Sequence, residues 1–170
     1  MSRIYLNLTI LFFVLFLLQV GVFGSVHLLG VATPVVFVYF ILKLPVEMNR
    51  NVVILLAAFG GLLVDFFSYT LGLNMLALTI VGFLRYYMLK LFGPREAFEN
   101  MQPSIASFGK VRFFIYSGVL LFLNLSVLFG VEYLTLFNPF RLTLQVLSSF
   151  SLSLLIISGF EILYQGIEKK

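Results

Sequence analysis

Cysteine and tryptophan are absent from the 170 residues, and histidine occurs once. Without cysteine there is no disulfide framework, no thiolate nucleophile and no Cys-ligated metal. A single histidine excludes a multi-His metal site. Charge is scarce as well: 11% of residues are charged, against about 25% in soluble domains. Too few polar side chains remain to clothe a water-soluble fold of this length. Without tryptophan, the 21 Phe and 8 Tyr must serve as interfacial aromatics.

What the chain has in excess is long apolar runs, each near the roughly 20 residues that cross a hydrocarbon core. They predict an all-α, polytopic membrane protein of about six transmembrane helices in one integral membrane domain. The spans fall at about 4–23, 27–44, 52–67, 71–92, 113–137 and 142–164. The first run exceeds the usual apolar core of a signal peptide, and no A-x-A site follows it, so it reads as a retained span. Pro34 sits near the start of the second span and Pro45 ends it. The most polar stretch, 93–112, reads as a cytoplasmic loop, and Asn138-Pro139 as a turn. With both termini in the cytoplasm, all of the eleven Lys and Arg except Arg141 fall on the cytoplasmic side. The positive-inside rule expects such a bias.

Asp65 is the clearest outlier. It follows Asn51 by about 20 Å of helix, in the outer third of span 3. A mid-membrane carboxylate costs on the order of 2.5–3.5 kcal/mol, and less near an interface. Ser68, Thr70, Asn74 and the first amides of span 4 are its candidate partners. As an acceptor at a helix N-terminus, Asp65 would anchor the turn between spans 3 and 4. A proton or solute site and a partner contact are the other readings. Ala57 and Gly61 share a helix face and, with Gly72 and Gly82, suit close helix packing. Arg85 and Lys90 read as snorkelling to headgroups; Arg85, the deeper of the two, would otherwise face a partner or an acidic group. Gln145, Ser149 and Ser153 form a stripe, which with Asn124 reads as a seam between spans 5 and 6. A buried solute pocket is the alternative there. His27 and Glu132 read as interfacial.

Catalysis needs a nucleophile, a base and an orienting group. No such set is evident, nor any H-E-x-x-H, G-x-S-x-G or P-loop pattern. An enzyme is therefore not expected.

The stretch Gly60-Gly61-Leu62-Leu63-Val64-Asp65-Phe66-Phe67-Ser68 is followed by Leu71-Gly72-Leu73-Asn74-Met75-Leu76-Ala77-Leu78-Thr79 and ends near Gly82 and Arg85. It resembles the signature of the MreD family of rod shape-determining proteins: a Gly-Leu run leading to Asp, a small polar turn, then Gly-Leu and a second span. The resemblance is strongest over 31–92; the rest matches in length and hydropathy alone. The usual Arg-rich segments are missing.

The resemblance implies a non-enzymatic scaffold in the bacterial inner membrane, part of the elongation machinery for peptidoglycan synthesis. Its partners would be an MreC-like single-span protein, MreB, a transpeptidase and a SEDS-family glycosyltransferase. It implies no cofactor, no metal and no nucleic acid. The architecture would be that of the substrate-binding subunits of energy-coupling-factor transporters. Asp65, Gly60, Gly61 and Gly72 occupy the motif positions, with Ser68, Asn74 and Arg85 beside them, as structural or partner-binding residues. A rival reading of the same shape is the solute-binding subunit of a vitamin-type transporter. That would need convergent polar groups in the outer halves of several spans.

Overall fold

A computed structural model describes residues 2–23, 32–70, 72–93, 101–132 and 139–168. His27, the loop residues 94–100, Leu71, Asn138, Lys169 and Lys170 lie outside these. The helices are α1 (Ser2–Leu17), α2 (Val38–Lys43), α3 (Arg50–Ser68), α4 (Leu73–Phe92), α5 (Ile105–Phe108), α6 (Lys110–Glu132) and α7 (Pro139–Glu168). A turn of π-helix, Leu18–Phe23, continues α1. Five of these helices are long and apolar enough to cross a membrane. The 19 residues of α3, for example, reach about 28 Å. Their outer faces expose Leu55, Phe59, Phe66, Leu91, Leu155 and Leu163. So large an apolar surface suits lipid rather than water. The chain is a polytopic membrane protein.

The exception is the second expected span. Among the described residues of 27–44 only Val38–Lys43 is α-helical, and residues 33–36 are in neither helix nor strand. All six residues of α2 are buried, so this short piece is apolar on every side because it is the core. It packs against α1, α3, α4 and α6. Irregular backbone cannot face lipid, because its N–H and C=O groups would go unbonded there. Here it is wrapped by protein. Phe16 near the end of α1 meets Phe67 near the end of α3, with ring centroids 5.5 Å apart. Tyr5 and Leu8, near the start of α1, share a groove with Met48 and Leu56. Helices α1 and α3 therefore run parallel, and residues 33–44 run back between them.

Helices α3 and α4 form the closest pair, α4 then packs on α6, and α6 on α7. Small residues permit the first contact. A Cβ on Gly61 would lie 2.5 Å from Met75 Cα and 2.7 Å from Asn74 O. One on Gly82 would lie 3.0 Å from the Ala57 methyl, and one on Gly60 2.7 Å from the Phe37 ring. The expected shared face of Ala57 and Gly61 is thus an intrachain contact. The loop expected over 93–112 is shorter than its sequence suggests. Residues 101–108 fold back onto the bundle, where Val46 N–H donates to Met101 O at 2.8 Å and Phe108 is buried. Gly109, at φ +79°, turns the chain from α5 into α6, three residues before the expected span.

Gly61→Ala should destabilise the protein by about 1–3 kcal/mol, the usual range for overpacking, because its methyl would meet backbone. Gly82→Ala should cost less, since its tightest contact, at 3.0 Å, is another methyl and the backbone lies at 3.5 Å. Thermal unfolding in detergent checks the order; equal melting temperatures would contradict it.

Candidate functional site

The turn between α3 and α4 is built by Asp65. Helix α3 ends at Tyr69, whose left-handed backbone (φ 55°) sends its N–H back to Asp65 O. Thr70 N–H reaches the same carbonyl at 3.1 Å. Helix α4 then begins behind Gly72, also left-handed at φ +78° and without a side chain to cap the first turn. The Asp65 carboxylate does so instead. Oδ1 accepts from Asn74 N at 3.0 Å and Asn74 Nδ2 at 2.9 Å, and Oδ2 from Met75 N at 2.8 Å. Thr70 Oγ1 also donates to Oδ1. An acidic group at a helix N-terminus is favoured both by the unpaired amides and by the dipole. Asp65 is only 4% exposed, and these bonds offset its burial.

The structure therefore joins Asp65, Gly61, Gly72 and Asn74 in one compact turn. Gly60 lies beneath it on the α2 side, against Phe37. Ser68, half-buried, is not among the donors to the carboxylate.

Arg85 is elsewhere and does not snorkel. It is 2% exposed, and its Nη2 donates to Leu44 O and, at 3.3 Å, to Pro45 O. It serves as a cap on the carbonyls just beyond α2, a role that cations fill at helix C-termini. Tyr116 OH donates to Leu42 O at 3.3 Å. Lys90, by contrast, is exposed, with its ammonium 4.6 Å from the Tyr86 ring centre.

At the other end of this segment the backbone is bonded by side chains. Thr33 N–H donates to Ser149 Oγ at 3.0 Å and Val35 N–H to Ser153 Oγ at 2.8 Å. Val36 and Phe37 N–H both donate to Gln19 Oε1, at 2.8 and 3.2 Å, while Gln19 Nε2 donates to Pro34 O at 3.3 Å. Pro34 itself has no N–H to satisfy. Each amide from Thr33 to Phe37 thus has a partner. The amides of residues 33 and 35 both go to α7. This corrects the reading of the α7 stripe as a seam with α6: Ser149 and Ser153 hold this segment. Asn124 is buried, and its Oδ1 has no hydrogen-bond partner among the described residues.

Glu161 of α7 completes the arrangement and was not singled out from sequence. It is fully buried. Oε2 lies 2.8 Å from Lys43 Nζ and accepts from Tyr39 OH at 2.6 Å. Oε1 accepts from Ile105 N at 3.0 Å. One carboxylate therefore ties α2, α5 and α7 together. A signal for it existed: like Asp65, Glu161 is an acid inside an apolar run. Lys43, counted from sequence among the cytoplasmic cations at the end of the second expected span, is instead the buried partner of the Glu161 carboxylate. Gln19 is one of the few polar residues of the first span, with Asn7 and Thr9.

No family model, curated protein or solved structure matches the chain.

Asp65→Leu removes the acceptor from both amides and two side-chain donors, and should cost about 2 kcal/mol, the upper range for a lost cap. A lower melting temperature and poorer membrane yield are expected; wild-type values would show that the cap does not stabilise the turn. Glu161→Leu should cost about 3–5 kcal/mol by stranding Lys43. Adding Lys43→Met should recover part of the loss. A double-mutant cycle checks this, and strictly additive effects would show that the pair is not coupled.

Proposed function

We propose that the chain is a non-enzymatic membrane scaffold of the MreD type. It serves peptidoglycan synthesis during rod-shaped growth in the bacterial inner membrane. The observation that carries this reading is the closed turn at Asp65. Asp65, Gly61, Gly72 and Asn74, from the stretch that resembles the MreD signature, meet in one place, and the carboxylate's bonds go to α4 and the turn of the same chain. A group so engaged positions a helical hairpin. The lipid-facing apolar surfaces then remain for partner helices, first of all an MreC-like single-span protein. MreB, a transpeptidase and a SEDS-family glycosyltransferase join through that assembly. The six-pass path, with residues 33–44 as the second pass, has the general shape of the substrate-binding subunits of energy-coupling-factor transporters.

A solute-binding subunit is the competing reading, favoured by the interrupted second span. Transporters place solutes at the free amides of such breaks. In this chain Gln19, Ser149 and Ser153 already take those amides, which supports the scaffold instead. The orientation with both termini cytoplasmic is supported by Arg50 at the start of α3, Lys90 near the end of α4, and Lys110 and Arg112 at the start of α6. Lys43 and Arg85 lie toward the same end, but they serve internal contacts.

Purification in mild detergent should bring down a single-span partner, and depletion in a rod-shaped host should round the cells. A reporter fused after Lys170 should stay cytoplasmic. A stoichiometric vitamin in place of the partner would overturn the scaffold reading.

A further inference from the structure

Helices α1 and α3 run side by side but come together at one end. The π-helical turn after α1 packs on α3, whereas α1 itself packs on α2. At the closed end the Phe16 and Phe67 rings meet at 5.5 Å. Phe12 lies 5.5 Å from the Phe37 ring and 5.0 Å from that of Phe40. A Cβ on Gly60 would come within 3.6 Å of the Phe12 ring. Toward the start of α1 the two helices part, and a groove of about 340 Å³ opens between them. Tyr5 and Phe13 form one wall, Leu56 and Phe59 the other, and Phe40 and Leu44 the floor. Among the described residues no charged side chain lines it. The Thr9 hydroxyl, on the α1 side, is spent on Tyr5 O at 2.9 Å. The rims stand on the outer surface, with Phe13 57% and Phe59 58% exposed, while Phe40 on the floor is 4% exposed.

Shape and chemistry together say what fills this groove. An apolar crevice does not hold water, and an empty one forfeits the dispersion contacts of its walls. Its length is close to that of one leaflet. From Tyr5 to Phe13 helix α1 rises about 12 Å, against about 15 Å for half of a hydrocarbon core. A partner helix of that length, about 10 Å across, would need roughly 900 Å³, so a second span does not fit. The groove is also continuous with the apolar surface that already faces lipid. We propose that it binds one acyl chain of a phospholipid, entering from the leaflet in which α1 begins. Phe12, packed beside Gly60, stops the methyl end of the chain. Tyr5, in the first turn of α1, stands at the mouth, where aromatic residues meet headgroups. The site rests on the membrane location of the chain and not on the scaffold reading.

The chain has no tryptophan, so one introduced at Phe40 reports on the groove floor alone. The full-length Phe40→Trp variant is reconstituted in phosphatidylcholine vesicles with and without bromine midway along the acyl chains, which quenches indole on contact. Phe66→Trp, on the exposed face of α3, gives the quenching by bulk lipid. Quenching at position 40 comparable with that at position 66 is expected. Adding Thr9→Phe and Leu56→Phe fills the groove, and should cut quenching at position 40 by half or more while leaving position 66 unchanged. Native mass spectrometry of the unaltered chain from a maltoside detergent should show one retained phospholipid, largely lost when the groove is filled. A folded Phe40→Trp that escapes quenching, or whose quenching ignores the filling substitutions, would overturn the proposal, as would a retained peptide in place of the lipid. Should Phe40→Trp fail to fold, retention by the unaltered chain decides, and a lipid-free spectrum overturns the site.

Discussion

Every peptide group that enters a bilayer must find a hydrogen bond inside the protein, and the rest of this structure is arranged around four backbone N–H groups that side chains serve instead of a helix. From Thr33 to Val36 the chain is neither helix nor strand at the heart of the bundle, and Phe37 starts the turn into α2. Among the described residues no strand serves its amides. Two serines on α7 and one glutamine beyond α1 do so. This demand explains why polar residues sit within otherwise apolar spans and why they face inward. It also explains why α2 is surrounded: interrupted backbone is tolerated at membrane depth only where protein covers it.

The same solution recurs at each buried polar position. Asp65 bonds the first turn of α4, Arg85 the carbonyls beyond α2, and Glu161 an amide of α5 together with a lysine and a tyrosine of α2. Each side chain completes the backbone of an element other than its own. Apolar packing alone gives weak preference between helix arrangements in lipid, where tails are as apolar as leucine. Directed bonds to another element's backbone discriminate between registers, because a slip of one residue removes the donor or the acceptor. Gly61 adds a steric limit at the same place, since only a glycine lets α3 approach the start of α4 so closely.

Much of this was legible in the sequence. Length and hydropathy located α3 and α4 to within two residues at each end, because both are uninterrupted runs bounded by polar or glycine turns. Asp65 stood out as a carboxylate in lipid, and its candidate donors could be named because they follow it closely in the chain. The second span was misread as a helix: a hydropathy window cannot distinguish a membrane helix from a buried core segment of the same composition. Arg85 was read by position, as a cation near a helix end, but its acceptors lie forty residues away in sequence. Serines spaced by four announced a polar face on α7 but not which element it served. Glu161 carried the same signal as Asp65, yet its partners lie on remote elements that local reading does not reach.

The bonds between Thr33 and Ser149 and between Val35 and Ser153 span 116 and 118 residues. On a growing polypeptide, the segment from Thr33 to Phe37 emerges long before the acceptors it depends on. Until α7 is made, those amides have only water, the insertion machinery or an accessory protein to turn to. The middle of the molecule is therefore among the last parts to settle. A chain released short of Ser149 would have a complete α3–α4 hairpin around a centre that has not closed.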